Sequence, residues 1–150
     1  MNQSGYTFIL ARWDKEQALL SDIQQQLFAD DVITISNELA KDAFHILVFD
    51  GGGRTVGTAR MQPDGKIEYV GVLRPWRGNT VGTAVMTYLR HIGETKRLEN
   101  LWAMVPEEVV PFFEKNGYKM TEDTDESHDV LLYRMVKPLV ASRQDSAALH

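Results

Sequence analysis

The chain has 150 residues, a net charge of −5 and no cysteine. Its length predicts one domain, and its 43% hydrophobic and 25% charged residues are those of a globular fold, not of a disordered, collagen-like or disulfide-scaffold chain. Without Cys there are no thiolate zinc sites, cysteine nucleophiles or redox dithiols, and the acidic balance is unsuited to general binding of nucleic acid or an anionic membrane.

Residues 6–12 (Y-T-F-I-L-A-R) are aromatic and β-branched enough to open as a strand. Asp14 can cap a helix over 15–28, where Ala18, Leu19, Ile23, Leu27 and Phe28 recur at helical spacing. Asp30 can cap a second helix through Val32, Ile35 and Leu39. The apolar run 44–49 reads as a buried strand, and 50–53 (D-G-G-G) turns the chain into a return strand over 54–61. After the turn at Pro63-Asp64-Gly65, residues 66–73 form a third antiparallel strand, in which Gly71 marks a bulge or a close backbone approach. A loop over 74–80 leads into a helix from Val81 that stops near Gly93. A strand over 98–105 follows, then a helix over 106–116 with Pro at its start and Gly117 as its C-cap. Strands at 118–120 and 130–136 flank an acidic loop, T-E-D-T-D-E-S-H-D, and the last ten residues read as a tail. This order predicts a mixed α/β fold with a central, largely antiparallel sheet flanked by helices, and not a doubly wound dinucleotide fold. The start, M-N-Q-S-G-Y-T-F, lacks a basic stretch followed by an apolar one, and no apolar run approaches the ~18–20 residues of a membrane span. The expected location is the cytoplasm.

The most informative stretch is Arg77-Gly78-Asn79-Thr80-Val81-Gly82-Thr83, between a strand and an amphipathic helix. The first turn of a helix presents unpaired N–H groups and the positive dipole end. Gly78 and Gly82 let a phosphate approach the backbone, while Arg77, Asn79, Thr80 and Thr83 add donors, so the stretch can cradle a pyrophosphate. The same residues also describe a helix capped by Thr80. The pattern is neither a Walker A loop nor G-x-G-x-x-G.

Three blocks in register, V-G-T-A-R-M, then I-E-Y-V-G-V-L-R-P-W-R-G-N-T-V-G-T-A-V-M, then V-P-F-F-E-K-N-G-Y, resemble the GNAT superfamily of acyl-CoA-dependent N-acyltransferases, in particular its small bacterial single-domain members. The resemblance spans about residues 44–138 and implies one N-acetyltransferase-like domain, with a core over about 5–138. The family's loop pattern, Arg/Gln-x-x-Gly-x-Gly/Ala, is met at Arg77 and Gly82 but not at Thr80, where glycine is usual. The resemblance implies acetyl-CoA as acyl donor. Its pyrophosphate would be held by residues 77–83, its pantetheine would pair with the backbone of Val72 and Leu73, and Phe113 would line the thioester slot. It also implies a primary amine of a small molecule or peptide as acceptor, and a domain of a type that often dimerises.

Direct attack of an amine on a thioester needs an oxyanion donor, a base and a proton for the departing thiolate. The resemblance assigns the oxyanion to the Val72 N–H. Glu68, upstream on the same strand, is a candidate base; otherwise it faces solvent or pairs with an arginine. Unbroken alternation puts Glu68, Val70 and Val72 on one face. The family's usual acid is the Tyr of Phe-Tyr-Glu-Lys-x-Gly-Phe, but Phe113 stands there and carries no proton. Thiol pKa is about 8.5, so unassisted departure is feasible. His128 and Tyr133 are the other catalytic candidates; the alternative reading of His128 is a surface residue of the acidic loop. That loop either steers a cationic amine or is simply solvated. His45, His91 and the three tryptophans read as structural or surface residues, and no histidine pair has metal-ligand spacing. Thr80 and Phe113 leave two alternatives to an active acetyltransferase: a CoA-binding or regulatory module with impaired catalysis, and a domain that binds no CoA.

Overall fold

The computed structural model describes residues 2–3, 5–28, 40–73, 80–127 and 129–139. In chain order they form β1 (Asn2–Gln3), β2 (Tyr6–Ala11), α1 (Trp13–Phe28), β3 (Phe44–Phe49), β4 (Thr55–Met61), β5 (Ile67–Val72), α2 (Val81–Thr95), β6 (Asn100–Pro106), a 3-10 turn (Glu107–Val109), α3 (Val110–Lys115), β7 (Lys119–Asp125) and β8 (Leu132–Pro138). The second helix expected from Asp30, the loop residues 74–79 and the tail lie outside the described residues. Two compact units divide the chain: Met1–Pro63 with Ile67–Val85, and Asp64–Lys66 with Met86–His150.

The first unit is an antiparallel sheet in the order β1-β2-β3-β4-β5. β3 is central, and its run F-H-I-L-V-F needs no polar alternation because four of its six residues are buried. One face is covered by α1, whose Leu20 and Ile23 pack with Ala11 and Leu47. These two residues share one face of the helix with Trp13 and Leu27, which also pack on the cluster, whereas Leu19, expected on the apolar stripe, is exposed. Polar side chains share that face. His45 stands opposite Arg60 and Arg60 opposite Glu68 across β3, β4 and β5, and Thr58 Oγ1 donates to the Ile46 carbonyl at 2.8 Å.

Between Thr58 and Arg60 the β4–β5 register shifts: Thr58 faces Gly71 and Arg60 faces Glu68, so three steps along β5 match two along β4. The extra residue is a β-bulge, and Tyr69 within it has φ 55°, a left-handed conformation that bulky residues rarely adopt. The bulge therefore falls two residues before the glycine that suggested it. Gly71 serves the other role read from it, close approach: a Cβ there would stand 2.9 Å from Phe28 Cζ and 3.0 Å from Leu27 Cδ1.

The second unit holds a three-stranded antiparallel sheet, β6-β8-β7. Residue 66 forms a single parallel bridge to Trp102, and Trp102 N–H donates to the Gly65 carbonyl at 3.0 Å. The Trp102 ring lies 5.3 Å from the Lys66 ammonium and 5.0 Å from the Arg134 guanidinium. Most of the acidic stretch expected as a loop is the strand β7; its residues are largely exposed, as on an edge strand of one covered sheet. The helix expected over 106–116 is shorter. Pro106 ends β6, a 3-10 turn intervenes, and Pro111 occupies the first turn of α3, where a missing N–H costs least. The stripe Val81, Val85, Leu89 and Ile92 of α2 is buried as its spacing predicts.

Candidate functional site

The bulge decides what β5 can present. One inserted residue reverses the alternation, so Glu68 and Gly71 share the α1 face while Val72, opposite Gly57, is on the other. The unbroken alternation that would have put Glu68 and Val72 together does not hold. At the end of the strand the Leu73 N–H donates to the Val56 carbonyl at 2.8 Å. In an antiparallel ladder, bonded and non-bonded pairs alternate, which directs the Val72 backbone away from β4. β5 is the last strand of its sheet. Of the two residues expected to meet pantetheine, Val72 has its backbone directed away from β4, and Leu73 has its N–H engaged with β4.

Glu68 sits in a polar cluster under α1. Its Oε1 accepts from Arg60 Nε at 2.8 Å and from Gln62 Nε2 at 2.7 Å. The Arg60 side chain is 1% exposed and that of Glu68 12%. Arg60 also lies 4.5 Å from the centre of the Tyr69 ring, which in turn meets Phe28 at 5.8 Å. The arginine pairing that sequence reading allowed for Glu68 is therefore present. An amine's proton would reach a carboxylate that already serves two donors. Breaking such a buried pair by removing one partner costs about 3–5 kcal/mol, because the other charge is left behind. Arg60 and Gln62 were not candidates from sequence. The available signal was a cation at a strand position flanked by Ala and Met in an otherwise apolar run.

His45 belongs to the same face. Its ring is buried and stacked on Trp13 with centroids 5.5 Å apart, and its Nε2 lies 2.7 Å from the Ala40 carbonyl, so Nε2 carries the proton and donates. Burial lowers its pKa below the ordinary 6.5, and the Arg60 charge pushes the same way, against the Ala40 hydrogen bond and Glu68. His91 is exposed on α2, 3.8 Å from Glu94. Both are structural or surface residues, as read from sequence.

The cradle stretch is described only from Thr80 onward; Arg77, Gly78 and Asn79 lie outside the described residues, as does His128. Thr80 immediately precedes α2, and its carbonyl accepts from the Ala84 N–H at 2.9 Å. Val81 is buried while Gly82 and Thr83 are half-buried in the first turn. In the second unit Phe113 is 3% exposed. It packs edge-to-face on Phe112 at 5.7 Å and on Tyr118 at 5.1 Å. Tyr118 is buried just before β7, in the structural position expected for it. Among the described residues no group of three or more His, Asp or Glu side chains is placed to hold a metal, and no helix is long and apolar enough to cross a membrane.

A family model of the acetyltransferase (GNAT) domain matches residues 9–139. The chain belongs to the GNAT acetyltransferase family. No curated protein matches it by sequence, but solved GNAT structures match its fold. A spermidine N-acetyltransferase point mutant from Vibrio cholerae superposes with TM-score 0.72 at 12% identity, over 96% of this chain and 99% of that one. A GNAT family acetyltransferase from Elizabethkingia anophelis with acetyl-CoA bound gives TM-score 0.71 at 8% identity, over 91% and 99%. An Arabidopsis thaliana protein in complex with the bisubstrate analogue CoA-Ac-MVNAL gives 0.70 at 20% identity, over 89% and 98%. At these identities the likeness establishes the GNAT fold, the mixed α/β architecture expected from the order of elements.

Proposed function

We propose that this GNAT domain transfers an acetyl group from acetyl-CoA to a primary amine of a small molecule or peptide, in the cytoplasm. A single family match running over 9–139 supports reading the two compact units as one catalytic domain with a core over about 5–138. The observation that carries the reading is the bulged terminal strand β5, whose Val72 backbone turns away from β4 a few residues before α2 begins. Solved proteins of the same fold bind acetyl-CoA, and their acceptors include spermidine and a peptide.

The Val72 N–H would hold the thioester oxygen and stabilise the charge that develops there. Residues 77–83 would hold the pyrophosphate. The Leu73 N–H, already donating to Val56, faces β4 together with its own carbonyl, which leaves the pantetheine to the Val72 backbone. Acetyl-CoA supplies a thioester, in which a C–N bond to the amine forms as the C–S bond breaks and CoA leaves as thiolate. Glu68, or a water it orients, takes the amine's proton. Phe113 lends the thiolate none, and a thiol of pKa about 8.5 can leave without one. His128 is kept as the alternative proton acceptor.

A second reading, a CoA-binding module without turnover, is favoured by Phe113, which is buried against Tyr118 and offers no proton. Thermal shifts with acetyl-CoA, CoA and ATP test the donor class. Ligand at 100 times its Kd stabilises by about 2.7 kcal/mol, so stabilisation by both CoA species but not ATP is expected, and none with either would defeat the donor assignment. Release of free thiol with spermidine and with a peptide amine then separates transfer from binding alone.

A further inference from the structure

In the second unit α3 ends on Asn116 as its C-cap. Gly117 follows with φ 93°, the left-handed conformation that closes a helix and that glycine adopts at no steric cost. The Gly117 N–H donates to the Glu114 carbonyl and the Tyr118 N–H to the Phe113 carbonyl, both at 3.0 Å. Asn116 Nδ2 turns back to donate to the Phe112 carbonyl at 2.8 Å, and Lys137 Nζ, from β8, donates to the Asn116 carbonyl at 3.0 Å. The cap thus uses the carboxamide of one residue and the bare backbone of the next. That pair is chemically labile. With no side chain on Gly117 to shield it, its exposed backbone nitrogen can attack the carboxamide carbon before it. In the folded chain the attack is blocked in three ways. The five-membered ring needs the Gly117 nitrogen to eclipse the Asn116 Cβ across the Cα–C bond, but at the observed ψ of 15° it nearly eclipses the Asn116 nitrogen instead. The attacking N–H is held by Glu114, and the carboxamide is turned away to Phe112.

We propose that Asn116 is a site of spontaneous deamidation whose rate is set by opening of the α3 terminus. The Gly117 nitrogen bonds to Asn116 Cγ and gives up its proton, the Cγ–Nδ2 bond breaks, and Nδ2 leaves as ammonia. Water, the sole co-reactant, then opens the cyclic imide at either carbonyl to give aspartate or isoaspartate. Isoaspartate inserts a methylene into the backbone between the Phe113 and Glu114 acceptors and their donors on Tyr118 and Gly117. Aspartate replaces the Nδ2 donor by a carboxylate oxygen that faces the Phe112 carbonyl at the negative end of the helix. Both products oppose re-closure, so the modification makes permanent an opening that is otherwise reversible. The assignment holds whether or not the domain transfers acetyl groups.

The test incubates the full chain at mildly alkaline pH beside a synthetic peptide of residues 112–120, and follows conversion at Asn116 by mass spectrometry after digestion. The peptide is expected to convert, and the full chain about tenfold or more slowly, the ratio reporting how rarely the α3 end opens. Phe112→Ala keeps the Phe112 carbonyl but removes a ring that packs on Phe113, so it loosens α3 and raises the rate in the full chain towards that of the peptide. Converted protein, separated from the parent by its added negative charge, is expected to melt at a lower temperature. A peptide that does not convert would show that Asn116 is not a reactive site. Equal rates in peptide and full chain would show that the cap does not block the step, and a Phe112→Ala rate equal to wild type would remove α3 opening as its control. If the variant does not fold, the ratio of full chain to peptide still decides the proposal. An unchanged melting temperature in the converted protein would overturn the claim that the product opposes re-closure.

Discussion

At the scale of single residues, the α1 face of the first sheet concentrates charge and titratable groups where small domains normally keep only apolar side chains. His45 is the sharpest case. Folding takes its ring out of water and sets it opposite Arg60, and both effects favour the neutral form. The unfolded chain holds a histidine of ordinary pKa, 6.5, so below that value the unfolded state binds more protons than the folded one. Stability from this residue is complete above about pH 6.5 and is lost as pH falls through the lowered native value. Urea unfolding at a series of pH values is expected to show stability decreasing from pH 7 towards pH 5, with a shallower decrease in His45→Gln. Equal slopes would remove His45 as the cause. Glu68 carries two roles that one variant separates. Glu68→Gln keeps an oxygen for Arg60 and Gln62 but leaves the guanidinium without its counter-charge, so stability falls, by up to about 3–5 kcal/mol. If Glu68 is also the base, turnover by the folded fraction falls about 10²-fold or more and the acidic limb of the pH–rate profile disappears. Turnover preserved in folded protein would leave Glu68 as the partner of Arg60 alone.

At the scale of elements, the departures from simple periodicity carry the site. A Cβ on Gly65 would stand 2.6 Å from the Asn100 carbonyl oxygen, and its φ is +94°. Neither the backbone atom nor the left-handed conformation yields to repacking, so Gly65→Ala is expected to destabilise by more than about 1–3 kcal/mol, read as a lower urea midpoint with m unchanged. Gly82→Glu acts differently. In the first turn of α2 an acidic side chain is tolerated by the helix but places charge and bulk in the proposed pyrophosphate cradle, so CoA binding is expected to vanish from calorimetry while the melting temperature stays near that of wild type. Retained affinity would show that the cradle is only a helix start. The apolar runs and stripes of β3, β4 and α2 were legible in the sequence because burial imposes a period on them. The site was less so. The bulge at Tyr69 follows from pairing with β4, a non-local contact that no local signal encodes, and it moved Glu68 and Val72 to opposite faces. Likewise the stretch T-E-D-T-D looked like a loop from composition, yet pairing with β8 makes it a strand.

At the scale of the whole molecule, an acidic chain still places positive charge locally: Arg60 faces Glu68, and Arg90, Lys115 and Lys137 line one pocket. This matters for a domain proposed to hold a polyanionic donor, because local arrangement rather than net charge decides such binding. The proposal of a single catalytic domain makes a further demand. α2 contributes Val81–Val85 to the first unit and its remaining turns to the second, so unfolding either unit unravels part of the same helix. Each unit carries its own optical probe, Trp13 stacked on His45 in the first and Trp102 beside Lys66 and Arg134 in the second. Single-tryptophan variants, with the other two changed to Phe, are expected to melt at the same temperature, as a two-state domain requires. With acetyl-CoA at 100 times its Kd both midpoints should rise together by about 5–10 °C, the linkage energy of about 2.7 kcal/mol divided by the unfolding entropy of a chain this size. Two separate midpoints, or a shift at Trp13 with none at Trp102, would mean that the units unfold independently and that acetyl-CoA is held by one of them.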